Sequence, residues 1–217
     1  MRRLLALLIL IAPCQAFALL IPSLPAHMCA LDVQRPAERV FFDYLQSALQ
    51  GSNQLAAAFA DCDELKQLST GQRDSVSHYG TILKQNLQLN MSRAEYLSTA
   101  ETMIASNPNL LGEAMAQAQT ATDKAITDNN LSGAGSPMSA ISQGVIYKND
   151  NVAVMAVQQT HMVNARPVKV ACVAGITLIG TVPVTINLYG PAEEQGIVGK
   201  ERDAIVTYAP QLLTANP

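Results

Sequence analysis

The sequence predicts an α+β domain, in which helices pack on one or both faces of an antiparallel β-sheet. The spacing of apolar residues changes from a helical period to strand alternation after about residue 137. The strands that follow are joined by the short connections KNDN and NARP and by a turn at Gly180. Such connections permit antiparallel pairing, whereas parallel strands need a crossover of about a dozen residues or more. Because helices precede and follow this block of strands, the chain belongs to the α+β class.

The first 18 residues have the composition of a secretory signal peptide. Two arginines at positions 2 and 3 precede an apolar run over residues 4–12, and Ala-Phe-Ala follows at residues 16–18. A basic start, a short apolar region and an A-x-A site predict cleavage after residue 18. The alternative is an uncleaved membrane anchor. Pro13 interrupts the apolar run well short of the roughly 20 residues that span a bilayer, which favours cleavage.

Charge and hydropathy exclude two classes of partner for residues 19–217. Removal of the leader changes the formal net charge from −3 to −5, because two arginines and no acidic residue are lost. An acidic chain without a Lys/Arg cluster lacks the electrostatic surface that nucleic acids require. No later segment has the length of a membrane span. We therefore expect no nucleic-acid partner, no membrane span after cleavage, and a periplasmic or extracellular location.

The N-terminal part is predicted to contain an arm and a helix. Residues 19–35 carry prolines and little periodicity, so we expect an extended arm. Residues 36–49 place apolar side chains at helical spacing, and Gly51 ends the helix. A single domain is then expected over residues 36–217, a length that is sufficient for one hydrophobic core.

A strand, a short helix and a second strand are predicted next. Residues 53–60 are apolar enough for a buried strand or for a helix. Asp61 precedes Glu64 at the spacing of a helix N-cap, so a new helix starts there and runs to about Leu68. The preceding segment is therefore assigned as a strand. Residues 75–84 alternate and predict a second strand.

Two alanine-rich helices form the middle of the predicted domain. Ser92 and Glu95 have the spacing of a capping box at the start of a helix over residues 93–106. An Asn-Pro pair separates it from a second helix over residues 110–130, and a glycine-containing loop follows over residues 131–137.

Four strands and a last helix complete the prediction. The strands cover residues 140–147, 152–162, 168–179 and 180–189, and the helix covers residues 192–216. In the last strand Ile186 and Leu188 are expected to point into the core, and Thr185 and Asn187 to point away from it. The chain should therefore end in an antiparallel meander that is closed by a helix.

A family resemblance covers about residues 50–217. The stretch GVIYKNDNVAVMAVQQTHMVNARPVKVACVAGITLIGTVPVTINLYGP, followed by KERDAIVTYAPQLLTAN, resembles the end of PsbP/Mog1-like domains. The resemblance rests on the order of elements: a helical middle, long hairpin strands, an apolar strand that ends in a Tyr-Gly turn, and a last helix. It implies an α/β/α sandwich whose known members mostly bind other proteins or assist assemblies. It carries over no functional residue.

Catalytic, metal and cofactor sites are not predicted from the side chains present. The three histidines, His27, His78 and His161, have no second histidine or cysteine at ligand spacing, so each is interpreted as structural. The chain has no G-x-S-x-G, H-E-x-x-H, P-loop or C-x-x-C pattern. These observations favour a protein without catalytic residues and without a cofactor.

Three cysteines remain after residue 18, and they carry the main chemical hypothesis. Cys62 follows a predicted strand and Cys172 lies in a strand that we expect to neighbour it, so a Cys62–Cys172 disulfide is the candidate pair. Cys29, on the arm, would then stay free or pair with another molecule. The position of Cys62 at a helix start favours its thiolate, which is typical of a reactive thiol.

Two functions follow from these observations. The favoured one is an exported binding or assembly protein without enzymatic activity, acting in the cell envelope or the extracellular space on another protein. The alternative is a thiol-dependent redox protein that uses Cys62 with Cys172 or Cys29.

Overall fold

The computed structural model describes residues 18–49, 53–107, 120–124, 126–127, 136–163 and 166–217. Its strands are β1 (Met28–Ala30), β2 (Asn53–Asp61), β3 (Tyr79–Gln85), β4 (Ser136–Lys148), β5 (Ala153–Val163), β6 (Arg166–Ile179) and β7 (Val182–Pro191). Its helices are α1 (Pro36–Ser47), α2 (Cys62–Ser69), α3 (Arg93–Ser106) and α4 (Ile197–Ala215), and residues 120–124 and 126–127 are helical as well. None of the helices in these ranges combines the length and the apolar character that a bilayer crossing requires.

All seven strands form one antiparallel sheet in the order β1-β2-β3-β7-β6-β5-β4. The meander predicted for the C-terminal part is confirmed, because β4, β5, β6 and β7 pair in sequence. The pairing of β3 with β7 joins this meander to the N-terminal strands, with Ile82 opposite Ile186. The α+β prediction is therefore confirmed, and the sheet is continuous across both halves of the chain.

The hairpin between β5 and β6 ends where the sequence predicts. Val163 pairs with Arg166, so the connection consists of residues 164 and 165, which lie outside the described residues. Pro167 cannot donate a backbone hydrogen bond, which suits a position at the start of a strand or at an edge. It is the second residue of β6, and β7 pairs with β6 only from Val170 onward.

One face of the sheet packs against α4 and forms a hydrophobic core cluster with it. Ile186 is 0% exposed and Leu188 is 1% exposed, as the alternation in β7 predicts. They lie in one cluster with three fully or nearly fully buried residues of α4: Ile205, Tyr208 and Leu212. A Cβ added at Gly175 of β6 would lie 2.3 Å from Ile205 Cγ2, so the close approach of α4 requires glycine there.

The opposite face of the sheet is covered by α1 and α3. The Phe41 ring of α1 meets the Tyr79 ring edge-on at 5.2 Å, and Tyr79 stacks on Tyr189 at 4.5 Å. On α3, Leu97 is 1% exposed and Arg93 Nε donates to the Leu178 carbonyl at 2.9 Å. Helices therefore lie on both faces of the sheet.

Polar side chains of the central strands lie on the α1 and α3 face. Asn187 was expected to point away from α4, and its Nδ2 donates to Thr81 Oγ1 of the neighbouring strand at 3.1 Å. Asn187 is only 7% exposed, so this hydrogen bond satisfies a polar group that would otherwise be costly to bury.

The predicted arm over residues 19–35 is attached to the domain at two places. Met28 to Ala30 form β1, which pairs with β2 at the edge of the sheet. Near the start of the arm, the Leu20 backbone N–H donates to Asn216 Oδ1 and the Leu20 carbonyl accepts from Asn216 Nδ2, both at 2.8 Å. His27, in the turn before β1, has φ = +67°, a conformation that non-glycine residues seldom adopt.

Most predicted boundaries agree with the structure to within a few residues, and the start points of three elements differ by more. The strand expected over residues 75–84 begins at Tyr79, because the backbone N–H groups of Ser77 and His78 donate to the Glu64 carboxylate. The first residues of the helix expected over 192–216 form a turn, and α4 begins at Ile197 after Gly196 at φ = +77°. Strand β4 begins at Ser136, inside the expected loop over 131–137. Of the helix expected over residues 110–130, most lies outside the described residues.

Candidate functional site

The disulfide of the structure joins Cys29 to Cys62, with Cα atoms 5.0 Å apart. Cys29 lies on β1 opposite Ala60 of β2, and Cys62 is the first residue of α2, directly after β2. Antiparallel pairing of these two strands brings the cysteines within the range of Cα separations that a disulfide needs. The expected Cys62–Cys172 pair is therefore wrong, since Cys62 is bonded to the arm. A disulfide is compatible with an exported protein.

Cys172 cannot reach Cys62 because of the strand order. It lies opposite Tyr189 of β7, which lies opposite Tyr79 of β3, which lies opposite Ala60 of β2. Three strand spacings, about 14 Å at about 4.8 Å each, therefore separate β6 from β2. The assumption that these strands are neighbours failed because β3 and β7 insert between them.

The thiol of Cys172 is buried, and its reactivity is low. Burial raises its pKa to about 12, although a hydrogen bond with Tyr189 acts in the opposite direction. A thiol of this kind holds almost no thiolate at neutral pH, and the thiolate is the nucleophile in disulfide exchange. A redox pair that includes Cys172 is therefore disfavoured by its environment as well as by its position.

A cavity of about 850 Å³ lies beside the disulfide, between the arm and α2. Both bonded cysteines line it, together with the following residues: Ala30, Asp32, Arg35, Pro36, Ala37, Glu38, Leu65, Lys66 and Ser69. The Glu38 carboxylate in the cavity wall accepts two hydrogen bonds. Its Oε2 accepts from the Asp32 N–H at 2.7 Å, and its Oε1 accepts from Arg35 Nη1 at 3.1 Å. The cavity walls are therefore held in place by the disulfide and by this buried carboxylate.

Acidic groups surround the start of α2, where the sequence suggested a reactive thiol. Asp61 is the N-cap, as predicted, and its Oδ1 accepts from the N–H groups of Asp63 and Glu64 at 3.0 Å. Carboxylates therefore lie directly beside the disulfide at the start of α2.

A network of charged side chains centres on His78, just before β3. Nδ1 of His78 lies 2.9 Å from Glu64 Oε1, and Nε2 lies 2.8 Å from Glu194 Oε2. Arg73 also pairs with Glu64 at 2.9 Å, and Lys200 pairs with Glu194 at 2.6 Å. We call these residues, together with Ser77 and Glu201, the His78 cluster. It connects α2, the loop before β3, the turn after β7 and α4.

The contacts of the His78 cluster set the protonation of its central residues. Burial alone would lower the pKa of His78, but hydrogen bonds to Glu64 and Glu194 outweigh it and raise the pKa. Burial alone would raise the pKa of Glu64, but hydrogen bonds from Ser77 and His78 hold it at about 2. The cluster therefore favours an imidazolium between two carboxylates.

Glu201 lies under this cluster in a different environment. It is 7% exposed, and its Oε2 has no hydrogen-bond partner in the described part of the chain. Its Oε1 approaches the backbone of Gly190 so closely that a Cβ there would lie only 2.8 Å away. Burial raises the pKa of Glu201 to about 8, so the carboxyl group is mainly neutral at pH 7.

We expect substitution of Glu64 to weaken the fold and to reduce its sensitivity to acid. The Glu64 pKa of about 2 lies below its ordinary 4.5, so its contribution is complete above about pH 4.5 and disappears as pH falls toward 2. Glu64→Gln should lower the free energy of unfolding at pH 7 by about 1–3 kcal/mol, a range that allows for solvent screening of its partners.

Urea unfolding at several pH values between 2 and 7 measures this effect. Asp63→Asn is the matched control, since Asp63 is an exposed neighbour in the same helical turn and should change stability little. Equal acid sensitivity of Glu64→Gln and the natural protein would contradict the assignment.

The sequence singled out His78 and Glu64, but it assigned neither to a site, and it did not single out the other members of the His78 cluster. His78 was interpreted as an isolated structural histidine, because its partners lie 14 and 116 positions away and follow no motif. Glu64 was assigned to helix capping, whereas its carboxylate turns toward the loop before β3. No group of three or more potential metal ligands occurs among the residues that the structure describes.

No protein-family model matches the chain, and a search of curated proteins finds no match to it either.

Proposed function

We propose that this protein is an exported, non-enzymatic binding or assembly protein of the cell envelope or extracellular space, and that its partner is another protein. The observation that carries this proposal is the closed arrangement of the His78 cluster. Both ring nitrogens of His78 are held by carboxylates, and those carboxylates are held in turn by Arg73 and Lys200. A general base needs a ring nitrogen within reach of a substrate proton. Because both ring nitrogens of His78 are engaged by carboxylates, this histidine connects elements of the fold instead.

Export is supported by the leader and by the disulfide. Residues 1–18 have the composition of a cleavable signal peptide. The Cys29–Cys62 bond fits an oxidising compartment, where disulfides form and persist. Cleavage after residue 18 would leave Leu19 as the first residue, directly before the hydrogen bonds of Leu20 with Asn216.

The edge strand β4 is the surface that we assign to the partner. It ends the strand order, so its outer edge faces no further strand in the described residues. Residues 136–147 carry no charge, whereas edge strands commonly carry charges that prevent pairing with other chains. Ile141 in this strand is 68% exposed, the largest exposed fraction among the large apolar side chains of the described ranges. An extended, uncharged segment of a partner protein would fit such an edge by strand addition.

Irregularities in the ladder limit this contact to the middle of β4. The register with β5 shifts between Pro137 and Ser139, and again between Ser142 and Gly144. Bulges of this kind twist an edge and interrupt its pairing. The regular stretch between them contains Ile141. The resemblance to PsbP/Mog1-like domains, whose members mostly bind proteins, supports the same proposal.

Site-specific crosslinking in the native host tests the proposal. A photoreactive amino acid at position 141 should give a discrete adduct with another protein of the envelope or the extracellular fraction. The same probe at Glu193, an exposed position in the turn before α4, is the matched control and should give none. Ile141→Asp should then abolish co-purification of that protein without lowering the melting temperature. Absence of an adduct at position 141, or equal adducts at both positions, would contradict it.

A thiol-dependent redox protein is the second candidate, and one observation favours it. The Cys29–Cys62 bond borders an open cavity, and Cys29 is exposed, so a reductant can reach the sulfur atoms. Equilibration in glutathione buffers followed by free-thiol counting distinguishes the two candidates. A redox protein needs a pair that exchanges reversibly at moderate potential, whereas a structural bridge stays oxidised.

A further inference from the structure

We propose that the His78 cluster is a proton-dependent latch. It holds the turn after β7 and the start of α4 against α2 and β3, and it opens when the cluster loses protons in alkaline solution.

The first proton of the latch is required by the hydrogen-bond geometry at His78. Its two ring nitrogens face Glu64 Oε1 at 2.9 Å and Glu194 Oε2 at 2.8 Å. A carboxylate only accepts hydrogen bonds, and a neutral imidazole donates from one nitrogen only. Both contacts are therefore hydrogen bonds only while His78 is an imidazolium. Loss of its proton leaves one ring nitrogen facing a carboxylate oxygen with no hydrogen between them.

The second proton of the latch is carried by Glu201. The carboxyl group of this residue is buried, and its Oε2 finds no partner among the described residues. An unpaired carboxylate is costly to bury, so the folded state retains the proton. The raised pKa of Glu201, about 8, agrees with this geometry. Ionisation places a negative charge under Gly190, close to the end of β7.

The charged groups around these two protons come from every neighbouring element. Glu64 belongs to α2, Arg73 to the loop before β3, Glu194 to the turn after β7, and Lys200 to α4. Buried Tyr79 of β3 and Cys172 of β6 also interact electrostatically with Glu201.

The balance of charge reverses when both protons leave. In the closed state the ionised carboxylates are those of Glu64 and Glu194, and the cations are Arg73, His78 and Lys200. After loss of both protons, Glu201 adds a third carboxylate and His78 no longer contributes a cation. Repulsion among the carboxylates then favours separation of the elements that the cluster connects.

The turn after β7 is the segment that this change releases. The Glu194 side chain pairs with His78 across the cluster and with Lys200 of α4, and the turn is also held by the Ala192 N–H, which donates to the Lys169 carbonyl at 3.1 Å. The helix that follows begins at Ile197, and its N-cap residue, Gly196, provides no side-chain cap. Local opening of such a segment is governed by the few contacts that close it. We therefore expect the latch to open without unfolding of the β-sheet.

Hydrogen exchange measured by mass spectrometry at pH 6 and pH 9 tests the latch, after correction for the intrinsic pH dependence of exchange. Peptides covering residues 190–201 should lose at least tenfold protection at pH 9, whereas peptides of β6 should not. Glu201→Gln, which is nearly isosteric and cannot ionise, should retain a larger part of the protection. Glu193→Gln is the matched control and should behave as the natural protein.

A second variant keeps the test independent of any folding defect in Glu201→Gln. Glu194→Gln removes one carboxylate partner of His78, so protection of residues 190–201 should already be low at pH 6 and should change little by pH 9. Protection of the natural protein that is equal at both pH values, or an equal loss in Glu201→Gln and the natural protein, would overturn the proposal.

Discussion

Removal of the Cys29–Cys62 disulfide should lower the free energy of unfolding by about 3–4 kcal/mol. The two cysteines are 33 positions apart, and a bridge that closes a loop of this length restricts the unfolded chain by about that amount on a chain-entropy estimate. The double variant Cys29→Ala/Cys62→Ala removes the bridge without leaving a free thiol at either position. Chemical denaturation of this variant and of the natural protein measures the difference.

Cys172→Ala is the matched control for the disulfide. Cys172 is buried on β6 and is not bridged, so its variant should lose only the contacts of one sulfur atom. Reductant should still destabilise Cys172→Ala by about 3–4 kcal/mol, because the bridge is intact in it. Reductant should have no effect on the double variant. An equal effect of reductant on all three proteins would contradict the structural role of the Cys29–Cys62 bond.

Truncation of Ile186 should destabilise the domain by about 2–5 kcal/mol. Ile186 is 0% exposed and lies at the centre of the sheet, with Ile82 of β3 on one side and Gly175 of β6 on the other. Ile186→Ala removes apolar contacts and leaves a cavity under α4 that the packed surroundings fill only in part. Thermal and urea unfolding report the loss.

Thr185→Ala is the matched control for Ile186→Ala. Thr185 is the preceding residue of β7, on the opposite face of the sheet, and it is only half-buried. We expect this variant to lose about 1 kcal/mol or less. Similar stability losses in the two variants would show that β7 does not direct alternate residues to the core in the way described.

Local patterns were sufficient to predict most elements of this fold. The Ser92 and Glu95 pair forms the capping box that its spacing predicts, with Ser92 Oγ and the Glu95 carboxylate each accepting from the other's backbone N–H. The alternation of β7 correctly placed Ile186 and Leu188 in the core. The spacing of apolar residues and the capping of helices each depend on residues a few positions apart, so both can be recognised directly in the sequence.

Strand order and the polar site were not predictable in the same way. Cys62 directly follows β2 and Cys172 lies in β6, as expected, yet β3 and β7 separate these two strands. The pairing of β3 with β7 joins residues about 100 positions apart, such as Ile82 and Ile186, and no local pattern specifies it. The contacts of His78 depend on this same pairing, because it brings the turn after β7 to the start of β3.

The boundary error at β3 shows how a polar contact can override a strand pattern. Residues 75–78 alternate as a strand would, but the Glu64 carboxylate accepts hydrogen bonds from the backbone N–H groups of Ser77 and His78 at 2.6 Å and 3.1 Å. Donors that are used in this way are not available to a neighbouring strand. The carboxylate that was assigned to helix capping therefore moves the start of the strand to Tyr79.

Peptide mapping without reduction tests most directly whether this is an exported protein with a disulfide between its N-terminal arm and α2. The protein for this measurement is recovered from the exported fraction of its native host. We predict a mature chain that begins at Leu19, a linked pair of peptides containing Cys29 and Cys62, and a free thiol at Cys172. Retention of residues 1–18, a link between Cys62 and Cys172, or three free thiols would contradict this account.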